Sequence, residues 1–169
     1  MRGGVSFPAR GRHNLAMGER QWQWTDAWIF VSLVIAHGAG RHRRAASSRR
    51  PLGVRLTDVL STADHLNRAI PERQEVEVAI RRLVGTGLVS VTDGWFQITP
   101  EGERLWRTRP HAGLATMVDT VQDALNRRHT PGDADWHLDE AEHAAAVQEY
   151  AVRSIPTPRR SVENHARRD

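Results

Sequence analysis

The chain has neither cysteine nor lysine among its 169 residues. Without thiols it has no disulfide staple, no cysteine nucleophile and no thiolate zinc site. Without lysine, its whole basic complement is 24 arginines. These keep their charge to strongly alkaline pH, which places the isoelectric point near 11.0 at a formal net charge of only +4. No common site chemistry demands arginine in place of lysine, whereas GC-rich codon usage does favour it. The arginine count therefore does not by itself define a phosphate-binding surface. Long apolar runs are also missing. The most apolar stretch, Ala27 to Ala36 with Ser32 inside it, is about half a membrane span. The basic start Met1-Arg2-Gly3-Gly4 is not followed by the apolar core of a signal peptide. These absences point to a soluble, cytoplasmic protein. No P-loop, G-x-G-x-x-G or G-x-S-x-G is present, so neither an enzyme nor a cofactor is expected.

What charge there is lies unevenly. Residues 1–50 carry nine arginines against Glu19 and Asp26, residues 51–110 are balanced, and residues 111–169 are acidic by three charges. The basic excess sits in an N-terminal arm, 1–21, and in an arginine-rich loop, 41–51, both rich in Gly, Ser and Arg and read as disordered. Met17 offers an alternative start to Met1. The tail 154–169, with Pro156, Pro158 and paired arginines, is read in the same way.

The ordered part begins at Trp22. Thr25 caps a first helix with Asp26 in its first turn, and Trp28 to Ile35 make it apolar nearly all round, so it is buried on more than one side. Gly38 and Gly40 end it. Thr57 caps a second helix carrying Val59, Leu60, Ala63 and Leu66 and stopping before Pro71. A third helix starts at Pro71 or Glu72. Val76, Ala79, Ile80, Leu83 and Val84 form its core face, leaving Gln74, Val78, Arg81 and Arg82 outside and Glu75 and Glu77 on the flanks. Leu88 to Val91 and Trp95 to Ile98 form a hairpin around Asp93-Gly94. Thr99 and Pro100 start a fourth helix. A stripe of Leu114, Met117, Val118, Val121 and Leu125 marks an amphipathic helix, and a last helix runs from Glu140 to Val152 behind Asp139.

Three stretches in this order carry a family likeness: Leu56-Thr57-Asp58-Val59-Leu60, the spacing from Val76 through Ile80 and Leu83 to Gly87-Leu88-Val89, and Ile98-Thr99-Pro100-Glu101-Gly102. Together they resemble the winged helix-turn-helix of bacterial transcription regulators of the MarR and PadR kind. The resemblance implies a mainly α fold with a small β-hairpin: a winged-helix domain over 22–110 with a C-terminal helical extension over 111–153. It also implies a regulator that binds double-stranded DNA. Arg73, Gln74, Arg81 and Arg82 of helix three would contact the duplex, and Arg43, Arg44, Arg49 and Arg50 of the loop would add attraction to its backbone. Such regulators often pair through flanking helices, which makes Leu114, Val118, Val121 and Leu125 a candidate homodimer seam; the equal alternative is that the stripe packs within the chain on the first helix, which is apolar all round and needs cover.

The residues themselves keep a second reading open. Glu75 and Glu77 would repel phosphates, and the wing tip Thr92-Asp93-Gly94 carries no cation. The alternative is a winged-helix module that recognises a protein, with Glu75, Glu77 and Val78 as its surface. Two smaller constellations are read blandly. Trp22 and Trp24 are taken as packing residues rather than base-stacking ones. His137, Glu140 and His143 are taken as helix surface rather than a metal site, since no second cluster completes them.

Overall fold

The computed structural model of the chain describes residues 21–44 and 53–155. The arm over 1–20, Arg49 and Arg50, and the tail beyond 155 lie outside the described residues. Six helices and one hairpin follow in order: α1 (Trp24–Arg44), α2 (Leu56–Asn67), α3 (Arg73–Gly85), β1 (Val89–Thr92), β2 (Trp95–Ile98), α4 (Pro100–Thr108), a single 3-10 turn (Leu114–Thr116), α5 (Met117–Arg128) and α6 (Glu140–Ser154). No helix among the described residues is long and apolar enough to cross a membrane.

The hydrophobic pattern sets the centre of the molecule. Ala27, Trp28, Ile29, Phe30, Val31 and Leu33 are all buried, because α1 is enclosed by α2, α3, α5 and the hairpin. A helix apolar on every side needs cover on every side. Its one buried hydroxyl, on Ser32, donates to the Trp28 carbonyl one turn back at 2.8 Å. Contrary to the sequence expectation, Gly38 and Gly40 do not end α1, which runs on to Arg44. A glycine costs a helix about 1 kcal/mol without blocking its hydrogen bonds as proline does. Arg43 and Arg44 therefore belong to a helix end and not to the loop assigned to them.

The second correction concerns Thr57. It lies inside α2, buried, and its hydroxyl donates to Glu149 at 2.6 Å. The cap position lies two residues earlier, at Arg55, whose backbone N–H faces the Asp58 carboxylate at 3.4 Å. At α3 the core face is as expected, with Val76, Ala79, Ile80 and Leu83 buried. Glu75 turns back to accept the Glu72 N–H at 2.8 Å and so closes the helix start.

The hairpin pairs Val89 with Ile98 and Thr92 with Trp95. Asp93 and Gly94 both have positive φ, 49° and 74°, the combination a two-residue turn of matching twist requires. Val54, just before α2, makes a single antiparallel bridge to Phe96 on the other edge of β2. Its N–H donates to the Phe96 carbonyl at 2.8 Å, and its carbonyl accepts the Phe96 N–H at 2.9 Å. The Thr99 hydroxyl accepts the Gly102 N–H at 3.1 Å and donates to the Gly87 carbonyl at 2.7 Å, which ties the start of α4 to the end of α3. Gly102 is required there, because a Cβ would lie 2.3 Å from the Leu88 carbonyl oxygen.

The amphipathic stripe of α5 faces α1. Val118, Val121 and Leu125 are buried within the chain, and of the four residues assigned to a homodimer seam only Leu114 is exposed. The physical reason is the demand of α1, whose apolar surface takes the stripe as cover.

Candidate recognition surface on the third helix

Four residues one turn apart, Arg73, Glu77, Arg81 and Gly85, form a single row along α3. The irregular segment over 130–139, which links α5 to α6, runs along this row in the opposite direction. At the C-terminal end of α3 the two backbones meet at Gly85 and Gly132. A Cβ on either would fall 2.2–2.3 Å from backbone atoms of the other segment, so both positions need glycine. The Gly132 N–H donates to the Thr86 hydroxyl at 2.8 Å.

One turn back, Arg81 presents its guanidinium fork to Asp133, with Nε and Nη2 each 2.9 Å from a carboxylate oxygen. The Ala134 N–H donates to the Arg81 carbonyl at 3.1 Å. A further turn back, Glu77 accepts the Leu138 N–H at 3.2 Å and lies 3.1 Å from Nδ1 of His137. At the N-terminal end Arg73 bonds Glu77 at 2.5 Å and donates to the Leu138 carbonyl at 2.9 Å. The Leu138 side chain is fully buried, and Trp136 sets its ring edge-on to Phe96 of the hairpin at 6.0 Å. Burial works against the charged form of Glu77. The Leu138 N–H, His137 and Arg73 outweigh it and hold the Glu77 carboxyl below the ordinary range.

On the opposite flank of α3, Arg82 pairs with Asp26 at 2.8 Å, with Asp26 almost wholly buried at the start of α1. Asp26 also accepts the Gln23 N–H at 2.8 Å.

The structure therefore places Arg73, Arg81 and Arg82 in ion pairs within the chain, and of the four expected helix-three contacts only Gln74 stays exposed without such a pair. Of the alternative surface, Glu75 closes its own helix and Glu77 holds the segment across it, while Val78 remains exposed together with Ile70. The spacing of His137, Glu140 and His143 does not gather them. His137 turns to Glu77, and Nε2 of His143 lies 3.1 Å from the Pro71 carbonyl. Among the described residues no group of three or more His, Asp or Glu is placed to hold a metal ion. Trp22 is a core residue, and Trp24 is partly exposed with its indole N–H on Asp119 at 3.0 Å.

The sequence reading missed the segment over 130–139 entirely. One signal for it exists. Trp136 and Leu138 are large apolar residues two apart in an otherwise polar stretch, the spacing of an extended strand that anchors one face. No protein-family model, curated protein or solved structure matches the chain.

Proposed function

We propose that the chain is a winged helix-turn-helix module that recognises a protein through its third helix, rather than a regulator that reads DNA. The order of three helices, a hairpin and a further helix supports the winged-helix part, and the bridge from Val54 to Phe96 joins the entry of α2 to the hairpin. The observation that carries the choice of partner is the alternation of Arg73, Glu77 and Arg81 along one row, with a peptide segment lying on it. A peptide backbone offers both N–H donors and carbonyl acceptors, so it can satisfy a row of alternating sign. A phosphodiester backbone offers acceptors only, and Glu77 would repel it.

The test is fluorescence anisotropy with a labelled duplex, comparing the wild type with Arg81→Ala. The basic first fifty residues can supply charge-driven attraction of their own, so the comparison matters more than the binding. Equal titrations at about 50 mM salt support protein recognition. Binding that falls about a thousandfold between roughly 50 and 200 mM salt, and that Arg81→Ala removes, would restore the DNA-binding regulator.

A further inference from the structure

The segment lying on α3 is held in a manner unlike the core. Of the fifteen residues of α6 that follow it, only Ala146 is buried. Beside Ala146 and the partly buried Val147, the helix is held by side-chain bonds: Glu149 to Thr57 at 2.6 Å, Tyr150 to Asp64 at 2.5 Å and Arg153 to Asp58 at 3.2 Å. In the segment itself Leu138 is the single buried large side chain, and the Asp133 side chain remains 70% exposed while it grips Arg81. Few buried apolar contacts and many exposed polar ones describe a unit that opens more easily than the body it covers.

What the segment contacts on α3 is specific in chemistry. Gly85 accepts only a residue without a side chain. The fork of Arg81 takes a carboxylate in two-pronged geometry. Glu77 accepts a backbone N–H, Arg73 donates to the carbonyl of the same residue, and that residue's leucine side chain enters the core. In the chain's own segment these requirements are met by Gly132, Asp133 and Leu138.

We propose that the Arg73–Glu77–Arg81–Gly85 row is an exchangeable peptide groove which the chain fills in cis, and that its partner is a protein bearing an extended Gly-Asp-x-x-x-x-Leu segment. The inference rests on the protein-recognition reading and names its partner class. The tethered segment acts as its competitor at an effective concentration on the order of millimolar. An outside segment enters only when it binds better or when the tether loosens.

The experiment uses the full chain and a labelled synthetic peptide of residues 130–139. Gly132→Ala drives a Cβ into the Gly85 backbone and lifts the chain's own segment without altering α3. Leu138→Ser removes the anchor by a second route, and circular dichroism identifies which of the two keeps its helices. The peptide is expected to bind the opened variant about tenfold or more tightly than the wild type. Replacing its aspartate by asparagine or its leucine by alanine should weaken it by about tenfold or more, as should Arg81→Ala in the protein. Equal binding to wild type and opened variant, or indifference to the peptide's aspartate and leucine, overturns the groove. So does a gain of affinity for duplex DNA, in place of the peptide, on opening. Failure here is distinct from failure of the wider reading, which turns on duplex binding by the wild type.

Discussion

Arg82→Ala is expected to destabilise the fold by about 3–5 kcal/mol, with a fall in Tm of roughly 10 °C or more. The reason lies with its partner. The Asp26 side chain is 2% exposed and sits 2.8 Å from Nη1 of Arg82, whose own side chain is 17% exposed. Removing the guanidinium leaves a carboxylate out of water without its counter-charge, though the Gln23 N–H still donates to it, and an uncompensated buried charge is far more costly than the pair it came from. The pair also joins the start of α1 to the flank of α3. An arginine that merely faced DNA would behave otherwise, since surface substitutions shift stability by about 0.5 kcal/mol or less. Thermal melting of the single variant checks this, and a double variant adds a control. Asp26→Leu with Arg82→Met removes both charges, and is expected to be more stable than Arg82→Ala alone.

Trp22→Ala should cost about 3–5 kcal/mol. Trp22 lies ahead of the first helical residue, where sequence position alone suggests a dispensable end. The residue is 1% exposed, its indole N–H donates to the His129 carbonyl at 2.9 Å, its backbone N–H donates to Asn126 at 3.0 Å, and its carbonyl accepts from Gln122 at 2.9 Å. It thus fastens the entry of α1 to the exit of α5, directly before the segment that crosses α3. Trp22→Phe keeps most of the apolar volume and loses the indole donor, for a smaller cost of about 1 kcal/mol. Denaturant midpoints at unchanged slope would measure both.

These two residues mark where the sequence is readable and where it is not. The local features were legible. Asp93-Gly94 announced a turn with two positive φ values, Thr99-Pro100 announced a helix start, and the spacing of Val76, Ala79, Ile80 and Leu83 announced a buried face. Each depends on residues within a turn or two of one another. The partners of outward charges do not. Asp26 with Arg82, Arg81 with Asp133, and Asp58 with Arg153 join residues far apart in the chain, and a charged side chain carries no periodic mark of its mate. Helical geometry kept Arg81 and Arg82 off the core face, but it says nothing of what then covers them, and Arg82 is largely enclosed beside Asp26. The segment over 130–139 escaped for a related reason. It has no helical or strand ladder of its own, and its order comes from α3 and the hairpin. The run of α1 past Gly38 and Gly40 is the opposite case, in which a local helix-ending signal does not end the helix.

Hydrogen exchange on the wild-type chain tests most directly whether the third helix carries an exchangeable peptide. The amides of Ala134 and Leu138, which donate to Arg81 and Glu77, are expected to exchange together with those of α6. Both sets should open at a clearly lower free energy than the amides of α1 and α5. Protection of Ala134 and Leu138 equal to that of α1 would mean that the segment opens only when the whole domain unfolds, and would contradict a groove that another protein can enter.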